Sequence, residues 1–177
     1  MNEIYEIDKL KNKDHVATPR WVVENIYDII NIKQFNNIWF PFNNYDSQFK
    51  LKADELNLKY KATHIFDDLG NDFFTTIPPK DCDLLISNPP FSQQNEIIKR
   101  TFELVEQGLI KSFCLLLPLS TLETPTRAEM YEKYVDKLSI LIFKKRIQFI
   151  GCKTGFNKAC CWICYNIPNL KNKILWI

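Results

Sequence analysis

A chain of 177 residues, 46% hydrophobic and 25% charged, has the size and make-up of one globular domain, which excludes a disordered chain. A formal net charge of +2 permits nucleic-acid binding without demanding it. No apolar run reaches the roughly 18 residues of a membrane span and nothing resembles a signal peptide, so a cytoplasmic protein with no membrane partner is expected.

In chain order, residues 1–14 are polar and mixed in charge and read as a loosely held lead-in. One domain should fill 15–177. It opens at Thr18-Pro19, a cap followed by the residue favoured at the first helical position, and Val22, Val23, Ile26, Ile29 and Ile30 recur behind it at helical spacing. Ile38-Trp39-Phe40-Pro41-Phe42 is the first strand. Asn43-Asn44-Tyr45-Asp46-Ser47 turns it into a helix over Ser47 to Leu56. That turn lacks glycine, so Asn43 and Asn44 are the residues expected to take left-handed backbone conformations. Asp46 and Ser47 are placed to cap the helix.

Thr63-His64-Ile65-Phe66-Asp67-Asp68 reads as a second strand ending in carboxylates. In nucleotide-binding α/β folds an acid there accepts from both ribose hydroxyls, and Asp67 is the first choice, with Asp68 its rival. Gly70-Asn71-Asp72-Phe73-Phe74 follows. Asp83-Leu84-Leu85-Ile86-Ser87 is a buried strand stopped by Asn88-Pro89-Pro90-Phe91, because neither proline can donate to a ladder. Only some fifteen residues separate it from Asp68 at the end of the second strand, too few for a full intervening strand unit, so the third strand is short or missing.

A helix over Gln93 to Glu106 should stop at Gly108, and Phe113 to Leu119 is an apolar run typical of a central parallel strand, with Ser120 and Thr121 at its rim. Glu123 to Arg127 reads as a loop before a helix over Arg127 to Leu138. Leu138 to Phe143, Arg146 to Ile150 and Ala159 to Tyr165 then form an antiparallel hairpin. Lys144-Lys145-Arg146 is either a solvated edge or a phosphate-contacting patch, and Phe149 and Phe156 are either core or flanks of a bound base. Six cysteines without a secretory signal read as reduced thiols. Cys160, Cys161 and Cys164, with Cys152 upstream, hold one Cys-x-x-Cys and no second pair, so strand packing is expected there and no metal.

The chemistry converges on Asn88. With the chain pinned by two prolines, the Asn88 side-chain oxygen and the Pro89 carbonyl can accept two hydrogen bonds from one planar amino group, beside the flat face of Phe91. Two acceptors draw the nitrogen lone pair out of conjugation and make it a nucleophile without a formal base. Asn-Pro-Pro-Phe between a strand and a helix resembles motif IV of the S-adenosylmethionine-dependent N6-adenine methyltransferases, in particular small phage- and bacterial-type members without a target-recognition domain. In that resemblance Thr18 and Pro19 stand at motif X beside the methionine end of the cofactor. Pro41, Phe42, Asn43 and Asp46 stand at motif I, Asp67 at motif II, and Asp72 at motif III beside the cofactor's adenine. Asn88, Pro89, Pro90 and Phe91 are the catalytic residues.

The resemblance implies a Rossmann-like class I methyltransferase fold with one mostly parallel sheet and a C-terminal antiparallel hairpin. It also implies S-adenosylmethionine as cofactor and methyl transfer to an exocyclic amino group, adenine N6 in DNA first. Enzymes acting on guanine N2 in ribosomal RNA or on protein glutamine present the same planar NH2 to the same motif. A non-catalytic fold with an eroded motif I is the reading outside enzymes.

Overall fold

The computed structural model describes residues 17–43, 46–65, 71–151, 158–170 and 173–177. Four helices, α1 (Arg20–Ile29), α2 (Gln48–Glu55), α3 (Gln94–Glu106) and α4 (Pro125–Lys133), pack around seven strands in this part of the chain. The strands are β1 (Ile38–Pro41), β2 (Tyr60–Thr63), β3 (Cys82–Ser87), β4 (Ile110–Pro118), β5 (Leu138–Ile142), β6 (Cys160–Tyr165) and β7 (Ile174–Trp176).

They form one sheet in the order β2-β1-β3-β4-β6-β5-β7. All neighbours are parallel except where β6 runs antiparallel to both β4 and β5. The expected mostly parallel sheet with a reversed strand near the C-terminus is therefore present, and among the described residues no strand lies beyond β2.

Strand alternation divides the core into two layers. Phe40, Leu84, Ile86, Cys114, Leu116 and Trp162 face α1 and α2. Trp39, Leu85, Phe113, Leu115 and Ile163 face α3 and α4. Both faces are covered, which is why β3 and β4 read as continuous apolar runs rather than alternating ones. Val22, Val23 and Ile26 on α1 and Ile30 at its C-cap are fully buried, each worth about 1.5–3 kcal/mol of burial. Gly108, with φ +68°, ends α3 where a side chain would be strained.

Several boundaries differ from the sequence expectation. Helix α1 is capped by Pro19 with extended backbone (ψ 146°), not by Thr18, so proline sits one position outside the helix. β2 ends at Thr63 rather than running on to residue 68, since this edge strand is half exposed and carries no apolar run of its own. Asp67 and Asp68 lie outside the described residues, as do Asn44, Cys152 and Phe156. α4 begins at Pro125 with Thr124 at its cap, because proline suits a helix's first turn. Arg146 to Ile150 is not a strand and contributes only an isolated bridge between Ile150 and Ala17.

Candidate functional site

Strand order reverses between β1 and β3: the chain leaves β1 for β2 on one side and returns to β3 on the other. At such a switch point the connections diverge and leave a crevice outside the carboxyl ends of the strands. A cavity of about 290 Å³ opens there. Phe42 after β1, His64 after β2 and Asn88 after β3 contribute to its wall, with Asn43, Asp46, Ser47 and Gln48 from the turn into α2. Ala17 and Thr18 before α1, together with Ile150 and Gly151, close the remaining side.

The turn after β1 is built differently from expectation. The left-handed residue is Phe42, at φ 64°, while Asn43 works through its side chain. Asn43 Nδ2 donates to the Pro41 carbonyl and to Ser87 Oγ, each at 2.7 Å. Ser47 Oγ donates to Asn43 Oδ1, and Ser87 Oγ donates to the Pro41 carbonyl. One amide thereby ties the ends of β1 and β3 to the cap of α2, where Ser47 Oγ also accepts from the Phe49 amide at 3.3 Å. Asn43 is 5% exposed, and these bonds use both ends of its amide.

Asn88 is the opposite case. Its Oδ1 is shielded from solvent and has no hydrogen-bond partner, although a buried acceptor left unmade costs about 1–3 kcal/mol. Pro89 is buried beside it. Phe91 reaches both core layers and meets the buried Phe149 ring edge-on, centroids 6.2 Å apart. Phe149 is thus core, and it supports Phe91 from behind.

Of the sequence-derived positions, Thr18, Phe42, Asn43, Asp46 and Asn88 meet at the cavity wall. Pro19 and Pro41 stand one residue away in sequence, as the cap of α1 and the end of β1. Asp72 is not on that wall. Its Oδ1 accepts from the Phe74 amide at 3.0 Å, closing a turn that lays Phe73 on Trp39 and Phe42 at 5.6 and 4.8 Å between centroids.

Sequence reasoning missed His64, which is 7% exposed on the cavity wall, although its place directly after a strand was the available signal. It also missed Arg127. This residue is 6% exposed and donates to the carbonyls of Thr121 at 2.6 Å and Ser120 at 2.9 Å, and to Asn95 Oδ1 at 2.5 Å. It thereby pins the start of α3, just past Phe91, to the loop after β4.

A wider groove of about 710 Å³ lies at the opposite, amino-terminal edge of β3 and β4. Its polar groups bond one another: Lys111 Nζ with Asp83 Oδ1 at 2.6 Å, Asn166 Nδ2 with the Lys111 carbonyl at 3.0 Å, Ser112 Oγ with the Asn166 carbonyl at 2.9 Å. Among the described residues lining this groove, no shielded side-chain N or O atom is left without a partner. Cys160, Trp162 and Cys164 face one core layer and Cys161 the other. Burial pushes the thiols of Cys82, Cys160 and Cys161 up to about 12, so they stay protonated and are poor nucleophiles. Among the described residues no cluster of His, Cys, Asp or Glu is arranged to hold a metal, and no helix is long and apolar enough to cross a membrane.

Sheet order, reversed strand and crevice together define the class I methyltransferase fold. No protein-family model and no curated protein matches the sequence. Among solved structures the chain is similar to a protein described as a modification subunit of a type I restriction enzyme from Vibrio vulnificus YJ016. The TM-score is 0.60 at 12% identity, over 94% of this chain and 48% of that one. It is also similar to a protein from Listeria monocytogenes described as a class I S-adenosylmethionine-dependent methyltransferase, with TM-score 0.53 at 13% identity, over 93% of this chain and 66% of that one. The chain thus spans about half the length of the first and 66% of the second, and at these identities the likeness is one of fold.

Proposed function

We propose that the chain transfers a methyl group from S-adenosylmethionine to an exocyclic amino group, adenine N6 in DNA first. The observation that carries this reading is the shielded, unpartnered Asn88 Oδ1 beside the switch-point cavity. An acceptor held unsatisfied at a cost in stability makes sense where a ligand donor completes it. The cavity's chemistry fits the cofactor: a carboxylate at Asp46 suits hydroxyl or ammonium donors, and the α2 N-terminus suits a carboxylate. Thr18 and His64 add polar contacts, and Phe42 and Ile150 add apolar wall. When bound, S-adenosylmethionine supplies a methyl group on a positively charged sulfur, so the acceptor nitrogen needs an available lone pair.

The chain's own residues supply that condition. Asn88 Oδ1 and the Pro89 carbonyl accept from the two amino hydrogens, Phe91 stacks on the ring, and Phe149 keeps Phe91 in place. Unstacking the target base costs a few kcal/mol in a duplex and less in a single strand. Fixing the nitrogen beside the cavity recovers that cost as positioning. The likeness to a restriction-modification subunit is compatible with a DNA substrate. The alternative of a non-catalytic relic draws on Asn43, whose amide is used up within the fold where glycine-rich backbone would approach a cofactor.

Calorimetry with S-adenosylmethionine and tritiated methyl transfer to adenine-containing DNA separate the two. Micromolar cofactor binding is expected, together with a loss of at least about a hundredfold in transfer for Asn88→Ala, by analogy with removing one preorganised transition-state contact. Cofactor affinity should hardly change in that variant. No binding at millimolar cofactor, or full activity in Asn88→Ala, would overturn the proposal.

A further inference from the structure

The segment leaving β5 runs along the same rim as the cavity. β5 and β4 are both antiparallel to β6, so Phe143 and the residues after it stand at the end of the sheet that carries Asn88. Phe143, Ile147 and Phe149 are buried, whereas Lys144, Lys145, Arg146, Gln148 and Ile150 stay exposed. The buried set anchors the segment. The exposed set makes an outer face that begins in three cations and ends at Ile150, part of the cavity wall. Reciprocal backbone bonds of 3.0 Å between Ala17 and Ile150 fasten this face to the approach of α1.

Trp21, in the first turn of α1, joins the strip. Its ring is edge-on to Phe143 with centroids 5.8 Å apart, Lys145 Nζ lies 5.3 Å above it, and the residue is 40% exposed. The cation run is not needed to guard a sheet edge, because β7 already pairs with the outer side of β5 and the cations fall after that strand has ended. Edge protection is the usual reason for such a run. With that reason removed, three exposed cations, one of them over an exposed indole, on a face ending at Ile150 in the wall it shares with Asn88, match the groups that bind a polynucleotide: cations for phosphates and an aromatic for a base.

We propose that this strip is the docking surface for an unpaired DNA strand, with phosphates on residues 144–146 and a base against Trp21, leading the target adenine to Asn88. It deepens, and rests on, the reading in which Asn88 receives an adenine amino group. An unpaired strand is specified because a base inside a duplex has no free face for the indole. With a chain net charge of only +2, binding comes from this local cluster and is salt-sensitive, each phosphate contact adding about 0.7 to the log–log salt slope on a single strand.

Fluorescence anisotropy of a labelled, adenine-containing DNA strand, titrated at several salt concentrations, tests it, with cofactor calorimetry on every variant. The double variant Lys144→Glu/Lys145→Glu should weaken binding at least about tenfold and flatten the salt slope by about 1 to 2. Trp21→Ala should weaken it about five- to a hundredfold, with Trp21→Phe close to wild type. Cofactor affinity should be unchanged throughout. Wild-type affinity and slope in the lysine variant would overturn the surface, and so would tighter binding of duplex or of RNA of the same sequence. If the wild-type protein binds no strand but binds cofactor and methylates adenosine or a glutamine peptide through Asn88, the docking surface falls and the methyltransferase reading stands. If it binds no cofactor while strand binding still depends on the lysines, the methyltransferase reading falls and the surface stands.

Discussion

Two asparagines end neighbouring strands of this sheet, and the fold treats them in opposite ways. Asn43, after β1, spends its whole amide on Pro41, Ser87 and Ser47, and so holds the turn that a glycine-rich sequence would otherwise shape. Asn88, after β3, keeps its oxygen shielded and unbonded. Both side chains carry the same amide, Asn43 buried and Asn88 half-buried with its oxygen shielded, so composition does not separate them. Polar satisfaction does, since a satisfied buried amide stabilises the chain whereas an unsatisfied one costs it free energy and is retained where a ligand completes it. Asn43 is therefore architecture, and Asn88 is left available for the acceptor role proposed above.

The largest effects should come from exchanging these roles for alanine. Asn88→Ala should lose methyl transfer by the hundredfold or more given above while unfolding at the same or slightly higher urea concentration, because it removes an unpartnered buried acceptor that costs about 1–3 kcal/mol, offset by the packing lost with the side chain. Asn43→Ala should lose about 2–4 kcal/mol in urea unfolding, since it strips a donor from the Pro41 carbonyl and Ser87 and an acceptor from Ser47. Its cofactor affinity should drop about tenfold or more, because Phe42 and Asp46 sit on the turn that Asn43 ties. If Asn43→Ala were as stable as wild type while Asn88→Ala unfolded early, the contrast between the two residues would collapse.

Arg127 extends the contrast to the far side of Phe91. Arg127→Met keeps the apolar stem but leaves the Ser120 and Thr121 carbonyls and Asn95 without their donor. A loss of about 2–3 kcal/mol is expected by urea denaturation. Arg127 ties this loop to the start of α3, just past Phe91, so KM for the proposed DNA substrate should rise more than the dissociation constant for cofactor. Equal losses on both sides would mean that Arg127 serves the whole fold rather than the acceptor wall.

What could be read from the sequence follows the strength of local signals. β3 with its Asn-Pro-Pro stop, the apolar run of β4, and Gly108 after α3 each combine a periodic or continuous apolar pattern with a backbone-restricted residue, and each lies where expected. β2 was misplaced because Ile65-Phe66 looked more strand-like than the half-exposed Tyr60–Thr63, whose pairing with β1 decides the matter. β7 was not foreseen. Three residues with Ile174 and Trp176 exposed carry no alternation long enough to read, and only pairing with β5 makes them a strand. The positive φ at Phe42 ran against residue preference, since tertiary ties through Asn43 outweigh the cost of about 1–2 kcal/mol for a left-handed non-glycine residue. Arg127 looked like a polar loop residue because charge alone does not announce burial.

The exposed clamp between α1 and α2 supplies the smallest expected effect and the control for the buried cases. Arg20 grips Glu55 through both terminal nitrogens at 2.8 and 2.7 Å and Glu24 through Nε at 2.9 Å, and Lys52 reaches both carboxylates at 3.2 Å. The Arg20 guanidinium, and then the Lys52 ammonium, hold the Glu55 carboxyl at about 2 against an ordinary 4.5. A carboxyl held low adds stability that is present above its ordinary value and is lost as pH falls from 4.5 toward 2. All these groups face water, so screening leaves little net benefit, and Glu55→Gln should shift the melting temperature at neutral pH by less than about 4 °C. That small difference should shrink with added salt and vanish as pH drops through the window, with an NMR titration of Glu55 centred near 2. A Glu55→Gln loss as large as that of Asn43→Ala, or one indifferent to pH and salt, would show that bonded geometry rather than burial sets what a polar contact is worth here.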